Sequence, residues 1–126
     1  SNICTNAGLC SLAFSIHLSL LGEDGFKRLA LLNHQTAIKL ADALITVPGV
    51  EVESENFFNE FTVRLPKPAA PVVEALVAHN VLGGVPLSRL FPERDDVENH
   101  LLVAATETNT AEDIDDFVHA LREVLS

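Results

Sequence analysis

The sequence predicts an α+β domain, a two-layer sandwich with a small antiparallel or mixed sheet of three to four strands and helices on one face. Three observations predict it. Residues 57–66 alternate clearly from Glu60 onward: Phe61, Val63 and Leu65 are apolar, and Glu60, Thr62 and Arg64 are polar. That is the two-residue period of a strand with one buried face. Runs of helical period lie on both sides of it, and they need a sheet face to cover. The predicted order is helix, long helix, strand, strand, helix, glycine-marked short strand, strand, helix, which suits helices gathered on one side of a small sheet.

The opening run, residues 7–21, is apolar nearly all round, as in a helix buried on several sides. It is too short and too serine-rich to span a bilayer comfortably. We read residues 1–22 as an apolar interdomain helix whose second neighbour is a larger domain absent from this chain. The same face, left open, would make the chain sticky or homodimeric. Gly22 breaks the run. Asp24 is placed to cap a second helix whose stripe is Phe26, Leu29, Ala30, Ala37, Leu40, Ala41 and Leu44. The sequence Val47-Pro48-Gly49 stops it, and Val50-Glu51-Val52-Glu53 alternates as a short strand.

Pro66 and Pro68 end the main strand, because each lacks a ladder donor. Pro71 sits well in the first turn of a third helix, whose apolar face is Val72, Val73, Leu76 and Val77, with Asn80 as its left-handed stop. Gly83 and Gly84 lie in an apolar setting, which points to a bulge or a close backbone approach. No Lys or Ser/Thr follows at the spacing of a phosphate loop. Residues 88–100 read as an irregular acidic connection. Residues 101–106 are a continuous apolar strand, so both faces are expected to be covered. Thr110 and Asp113 form a capping-box-like start. Ile114, Phe117, Val118, Leu121, Val124 and Leu125 then mark the last amphipathic helix.

The 126 residues fit one domain, and 48% hydrophobic residues suffice for a core. A net charge of −10 argues against nucleic acid or an anionic membrane as partner. The acids are uneven: residues 1–22 carry no charged residue, whereas residues 93–123 carry ten acids and two bases. The ordinary reading of that acidic end is a solvated face. The chain has no Met and opens on Ser1, so we expect a piece of a longer protein, with Ser1-Asn2 native or a cloning remnant. If their segment is helical, Cys4 and Cys10 lie about 240° apart and cannot bridge. Two thiols in an apolar stretch fit a reducing compartment, hence a cytoplasmic location.

Candidate chemistry is sparse. His17 and His119 fall in apolar helical runs and read as core or boundary histidines; His34 reads as a surface or interdomain hydrogen-bonding residue. Scattered histidines without a CxxC give no metal site. Glu112, Asp113, Asp115 and Asp116 complement the dipole of the last helix. Lys27, Lys39 and Lys67 lack the desolvated setting of a Schiff-base amine. Arg64 is a lone cation on the main strand; a surface or interdomain ion pair is its ordinary role, and an anion contact facing a partner domain is the alternative.

The tail, residues 101–107 followed by residues 110–115, resembles the last strand and helix of fold-type-I pyridoxal-phosphate enzymes. Ser1-Asn2-Ile3-Cys4-Thr5-Asn6, Asn33-His34-Gln35, Phe57-Phe58-Asn59-Glu60-Phe61, Arg64-Leu65-Pro66-Lys67-Pro68 and Leu82-Gly83-Gly84-Val85-Pro86-Leu87 occur in one order along the chain. Together they resemble the C-terminal region of the glycine cleavage system P-proteins, glycine dehydrogenase (decarboxylating), most closely subunit 1 of the two-subunit form. The acidic stretch after Pro92 departs from that pattern.

The resemblance implies a C-terminal small domain of a fold-type-I pyridoxal-phosphate transferase. The parent complex decarboxylates glycine and passes its aminomethyl group to the lipoyl arm of the carrier H-protein. The lysine that holds pyridoxal phosphate belongs to the second subunit. This chain is then structural, inactive alone, with no catalytic, cofactor-binding or metal residue and no covalently bound cofactor. Asn2, Thr5, Asn59, Glu60, Arg64, Gly83 and Gly84 are the candidates for facing the active site or the carrier channel. The rival readings are the small domain of another fold-type-I enzyme, such as an aminotransferase or desulfurase, and a stand-alone protein-interaction module.

Overall fold

The computed structural model describes residues 7–126. The chain divides into two compact units at Leu31/Leu32. The first helical run, α1, is Gly8–Leu44, and Gly22 interrupts its regularity with φ 64° and ψ −176°. A left-handed φ is cheap only for glycine, so the break falls where the sequence supplies one. Helical backbone resumes directly after Gly22, so two helices meet at this kink, and Asp24 lies two residues beyond it.

In the first unit, the hydroxyls of Ser15 and Ser19 donate to the carbonyls of Ser11 and Ser15 at 2.9 and 2.7 Å. These polar side chains are thus satisfied by their own helix. Leu9 and Leu20 are 81% and 83% exposed, and Leu12, Phe14 and Ile16 are exposed with them. His17 is exposed as well, so the expectation of a core or boundary histidine fails there.

The second unit holds the sheet. Its strands are β1 (Glu51–Val52), β2 (Glu60–Arg64), β3 (Val85–Pro86) and β4 (His100–Ala104), in the order β1-β2-β4-β3 with every pairing antiparallel. The helices are the last part of α1, α2 (Ala69–Leu76), the four-residue α3 (Leu87–Leu90) and α4 (Ala111–Leu125). The strand begins at Glu60, where the alternation becomes regular. Phe61, Val63 and Leu65 are buried, as the alternation predicts. They meet Leu40 and Leu44 of α1, Val72 and Leu76 of α2, and Phe117 and Leu121 of α4 in one core. Full burial of each such side chain contributes about 1.5–3 kcal/mol.

Three expectations are corrected. The apolar run at 101–106 is not covered on both faces: Leu101, Val103 and Ala105 are buried, Leu102 is half-buried and Ala104 is exposed. A two-layer fold with helices on one side gives even its central strand only one dry face. Residues 88–100 are not wholly irregular, since they contain most of α3 and a 3-10 turn at Asp95–Val97, and β4 already begins at His100. His119 lies on the exposed side of α4, near Glu123 at 3.7 Å.

The turn chemistry follows the sequence closely. Asn80 is the left-handed residue after the turn that follows α2, with φ 60°. Thr110 and Asp113 form a reciprocal capping box at the start of α4. The Asp113 carboxylate accepts from the Thr110 backbone N–H at 2.7 Å, and the Asp113 N–H donates to the Thr110 hydroxyl at 3.1 Å.

Two bonds that flank the β2/β4 ladder fix which way β4 presents its backbone. The Ala105 N–H donates to the Asn59 carbonyl at 3.0 Å, and the Leu65 N–H donates to the Asn99 carbonyl at 2.9 Å. Antiparallel pairing alternates, so the odd-numbered residues 101, 103 and 105 turn their N–H and C=O toward β2. Leu102 and Ala104 turn theirs to the opposite edge, where β3 pairs only with Leu101 and Leu102.

Candidate functional site

A cleft of about 700 Å3 opens in the second unit where β3 stops short of the end of β4. Glu60 lines it from the start of β2, and Gly83 and Gly84 line it from the connection into β3. Three of the sequence-derived candidates therefore meet. Asn59 is next to Glu60, half-buried, and its carbonyl holds Ala105. Asn2 and Thr5 lie outside the described residues, as does Cys4.

The glycines are dictated by packing. A Cβ on Gly84 would sit 2.2 Å from the Leu102 carbonyl oxygen, and its φ of 136° favours glycine in any case. A Cβ on Gly83 would lie 2.6 Å from Leu76 Cδ1 and 3.2 Å from Phe117. This is the close backbone approach anticipated from the pair of glycines. It lets the connection enter β3 against β4 while α2 and α4 close over it.

Asn109, Asp113 and Asp116 also line the cleft. The Asn109 amide oxygen accepts from the Thr106 N–H at 2.9 Å. Hydrogen bonds from the Thr110 backbone and hydroxyl hold the Asp113 carboxyl below the usual range, so it is charged at neutral pH. Sequence reasoning placed Asp113 and Asp116 on α4 for its dipole and missed their place at the cleft. That place depends on how α4 docks beside β4, and no local pattern encodes it.

Arg64 is elsewhere. Its guanidinium binds Glu51, and its Nε donates to Glu53 Oε1 at 3.2 Å. His100 Nε2 lies 2.8 Å from Glu53 Oε2, while its buried Nδ1 has no partner among the described residues. Glu51, Arg64 and His100 are register partners across three strands. This row is an ion-pair clasp on the uncovered face of the sheet, about 13 Å along β2 from Glu60 at roughly 3.3 Å per residue.

His34 brings two sequence motifs together. Its Nδ1 is 2.8 Å from the Phe58 carbonyl, its ring stacks on Phe58 with centroids 5.9 Å apart, and Phe57 meets its edge at 6.2 Å. His79 approaches Glu123 at 3.4 Å. Among the described residues no three His, Cys, Asp or Glu side chains converge to hold a metal ion.

The residues present do not fit a covalent hold on pyridoxal phosphate. Lys27 pairs with Glu23 in the open, Lys39 is exposed, and Lys67 donates to the Val124 and Ser126 carbonyls at 3.4 and 3.3 Å. None is desolvated as a Schiff-base lysine requires. A phosphate in the cleft would face Glu60, Asp113 and Asp116. No chemical step is assigned to these residues.

The fold is a small, fully antiparallel α+β domain of the kind found in fold-type-I pyridoxal-phosphate enzymes. A NifS-like protein from Rickettsia africae shares the fold, with a TM-score of 0.63, 20% identity, and coverage of 80% of this chain and 30% of that one. The inhibitor-bound crystal structure of glycine decarboxylase (P-protein) of the glycine cleavage system superposes with a TM-score of 0.85 and 40% identity, covering 99% of this chain and 28% of that one. The profile of the family described as glycine cleavage system P-protein matches residues 1–121. The chain belongs to that family.

Curated relatives agree. The probable glycine dehydrogenase (decarboxylating) subunit 1 of Rhodospirillum centenum is 65% identical over 125 residues, covering 99% of this chain and 28% of that protein. That of Parvibaculum lavamentivorans is 62% identical over the same length, with the same coverage. The chain thus spans a little over a quarter of the length of these relatives. Membership of this family replaces the rival reading of a small domain from an aminotransferase or desulfurase. No helix among the described residues is long and apolar enough to cross a membrane.

Proposed function

We propose that this chain is the C-terminal small domain of subunit 1 of a two-subunit glycine dehydrogenase (decarboxylating). Within that assembly the enzyme decarboxylates glycine and transfers the aminomethyl group to the lipoyl group of H-protein. Pyridoxal phosphate, held by a lysine of the second subunit, supplies the electron sink. This chain contributes architecture and interface, in the cytoplasm, with no catalytic residue of its own. Residues 1–22 serve as the interdomain helix against the larger N-terminal domain, and in isolation the same face pairs with a second copy. Glu60, Gly83 and Gly84, with Asn59, Arg64, Asn2 and Thr5, are the residues assigned toward the active site or carrier channel.

The supporting observation is the uncovered apolar surface of the first unit, from Leu9 to Leu20, in a chain of a family whose members extend well beyond it. Such surface is held in water only when another body covers it. The test is deletion of this region from subunit 1 in the reconstituted two-subunit enzyme with H-protein. Glycine decarboxylation, read as exchange of labelled carbon dioxide, is expected to be lost while the second subunit keeps its pyridoxal-phosphate absorbance. Unchanged turnover overturns the proposal. Within the same assay, Arg64→Ala with unchanged turnover and assembly removes Arg64 from the site.

A further inference from the structure

The cleft contains one interrupted sheet edge. Ala104 turns its N–H and C=O away from β2, by the alternation that the Ala105–Asn59 bond fixes. On that side β3 has already ended, since its pairing stops at Val85↔Leu102. At the next outward-facing residue the edge closes again: Asn109 accepts from the Thr106 N–H, and the Asn109 N–H donates to the Thr106 carbonyl at 3.1 Å. Among the described residues, the register leaves the Ala104 donor and acceptor without a ladder partner, in an exposed position on the cleft wall. Unpaired edge groups of this kind are the template for strand addition.

We infer that the cleft receives an extended segment of the same subunit, outside these 126 residues, which continues the line of β3 and pairs with Ala104. This inference rests on the reading of the chain as one domain of a longer subunit. The segment carries a Lys or Arg, because Glu60, Asp113 and Asp116 line the cleft and no Lys or Arg among the described residues does. A tethered occupant is favoured over a separate protein by the size of the contact. One residue of edge gives two backbone hydrogen bonds, each a small net gain because water bonds are given up for them. That is too little to offset the translational and rotational freedom lost when two free bodies associate, whereas a linked segment arrives at an effective concentration on the order of millimolar.

Amide hydrogen exchange, resolved by residue, tests this in the 126-residue chain and in full-length subunit 1. The Leu101, Val103 and Ala105 amides face β2, so slow exchange there in both samples confirms a folded sheet. The Ala104 amide is expected to exchange near the unprotected rate in the short chain and at least about tenfold more slowly in the full subunit alone, and Glu60→Lys in the full subunit is expected to return it toward the short-chain rate. Equal rates in both chains, or protection already present in the short chain, overturns the inference. Protection that appears only when the second subunit is added overturns the tethered occupant, and an unchanged rate in Glu60→Lys overturns its basic side chain. None of these readouts uses turnover, so they are independent of whether the assembly acts on glycine.

Discussion

Gly84 carries the strictest local constraint in the chain, because the group that a side chain would strike is backbone. Its missing Cβ would lie 2.2 Å from the Leu102 carbonyl oxygen. Gly84→Ala is expected to destabilise the fold by about 1–3 kcal/mol, the range for stored backbone strain, as read from urea midpoints. The pair of glycines was legible as a close approach, but the strand approached was not, since that contact joins segments far apart in sequence. Arg64 is the opposite case. Its side chain is 44% exposed and its partners Glu51 and Glu53 are more than a third exposed, so Arg64→Ala should cost no more than about 1 kcal/mol, and less at high salt. The cation was visible in the sequence, and its partners were not, because pairing register is a property of the sheet. The cap is a third residue-scale test. Thr110→Ala should cost about 1 kcal/mol. Asp113 has its carboxyl lowered in the folded state. Its contribution is therefore present above the ordinary carboxylate range and lost as pH falls through the folded value. Thermal melts of the wild type and Asp113→Asn should differ at about pH 5 and converge under strongly acid conditions.

At the scale of elements, strand β4 shows what hydropathy leaves undetermined. An apolar run tells that a strand is near the core without telling how many faces are covered. Here Leu101 faces the helices and Leu102 the uncovered side. Leu101→Ala should cost about 2–5 kcal/mol, as in a packed core, and Leu102→Ala less than half of that; equilibrium unfolding of the pair separates them. The final helix was legible almost to the residue, because capping box and apolar stripe agree in placing it. The first helical run was legible as two helices broken at Gly22. The left-handed Gly22 breaks the helical backbone, and two helices meet at that kink. The cleft was least legible, because it lies between segments whose separate patterns describe only their own burial.

For the whole molecule, the proposed pairing through the exposed apolar residues of the first unit is open to a direct test. Leu9, Leu12 and Leu20 replaced together by Gln should shift the isolated chain toward monomer in size-exclusion chromatography with light scattering, while the unfolding midpoint of the sheet stays put. Family membership rests on sequence motifs spread over the chain, and the fold is consistent with it. What the chain does within its family turns on where the cofactor chemistry resides. The most direct measurement is titration of the 126-residue chain with pyridoxal phosphate, followed by absorbance and by mass spectrometry after borohydride reduction. No specific lysine-bound cofactor should form. A stoichiometric adduct at Lys27, Lys39 or Lys67 would contradict the assignment of the chemistry to another subunit.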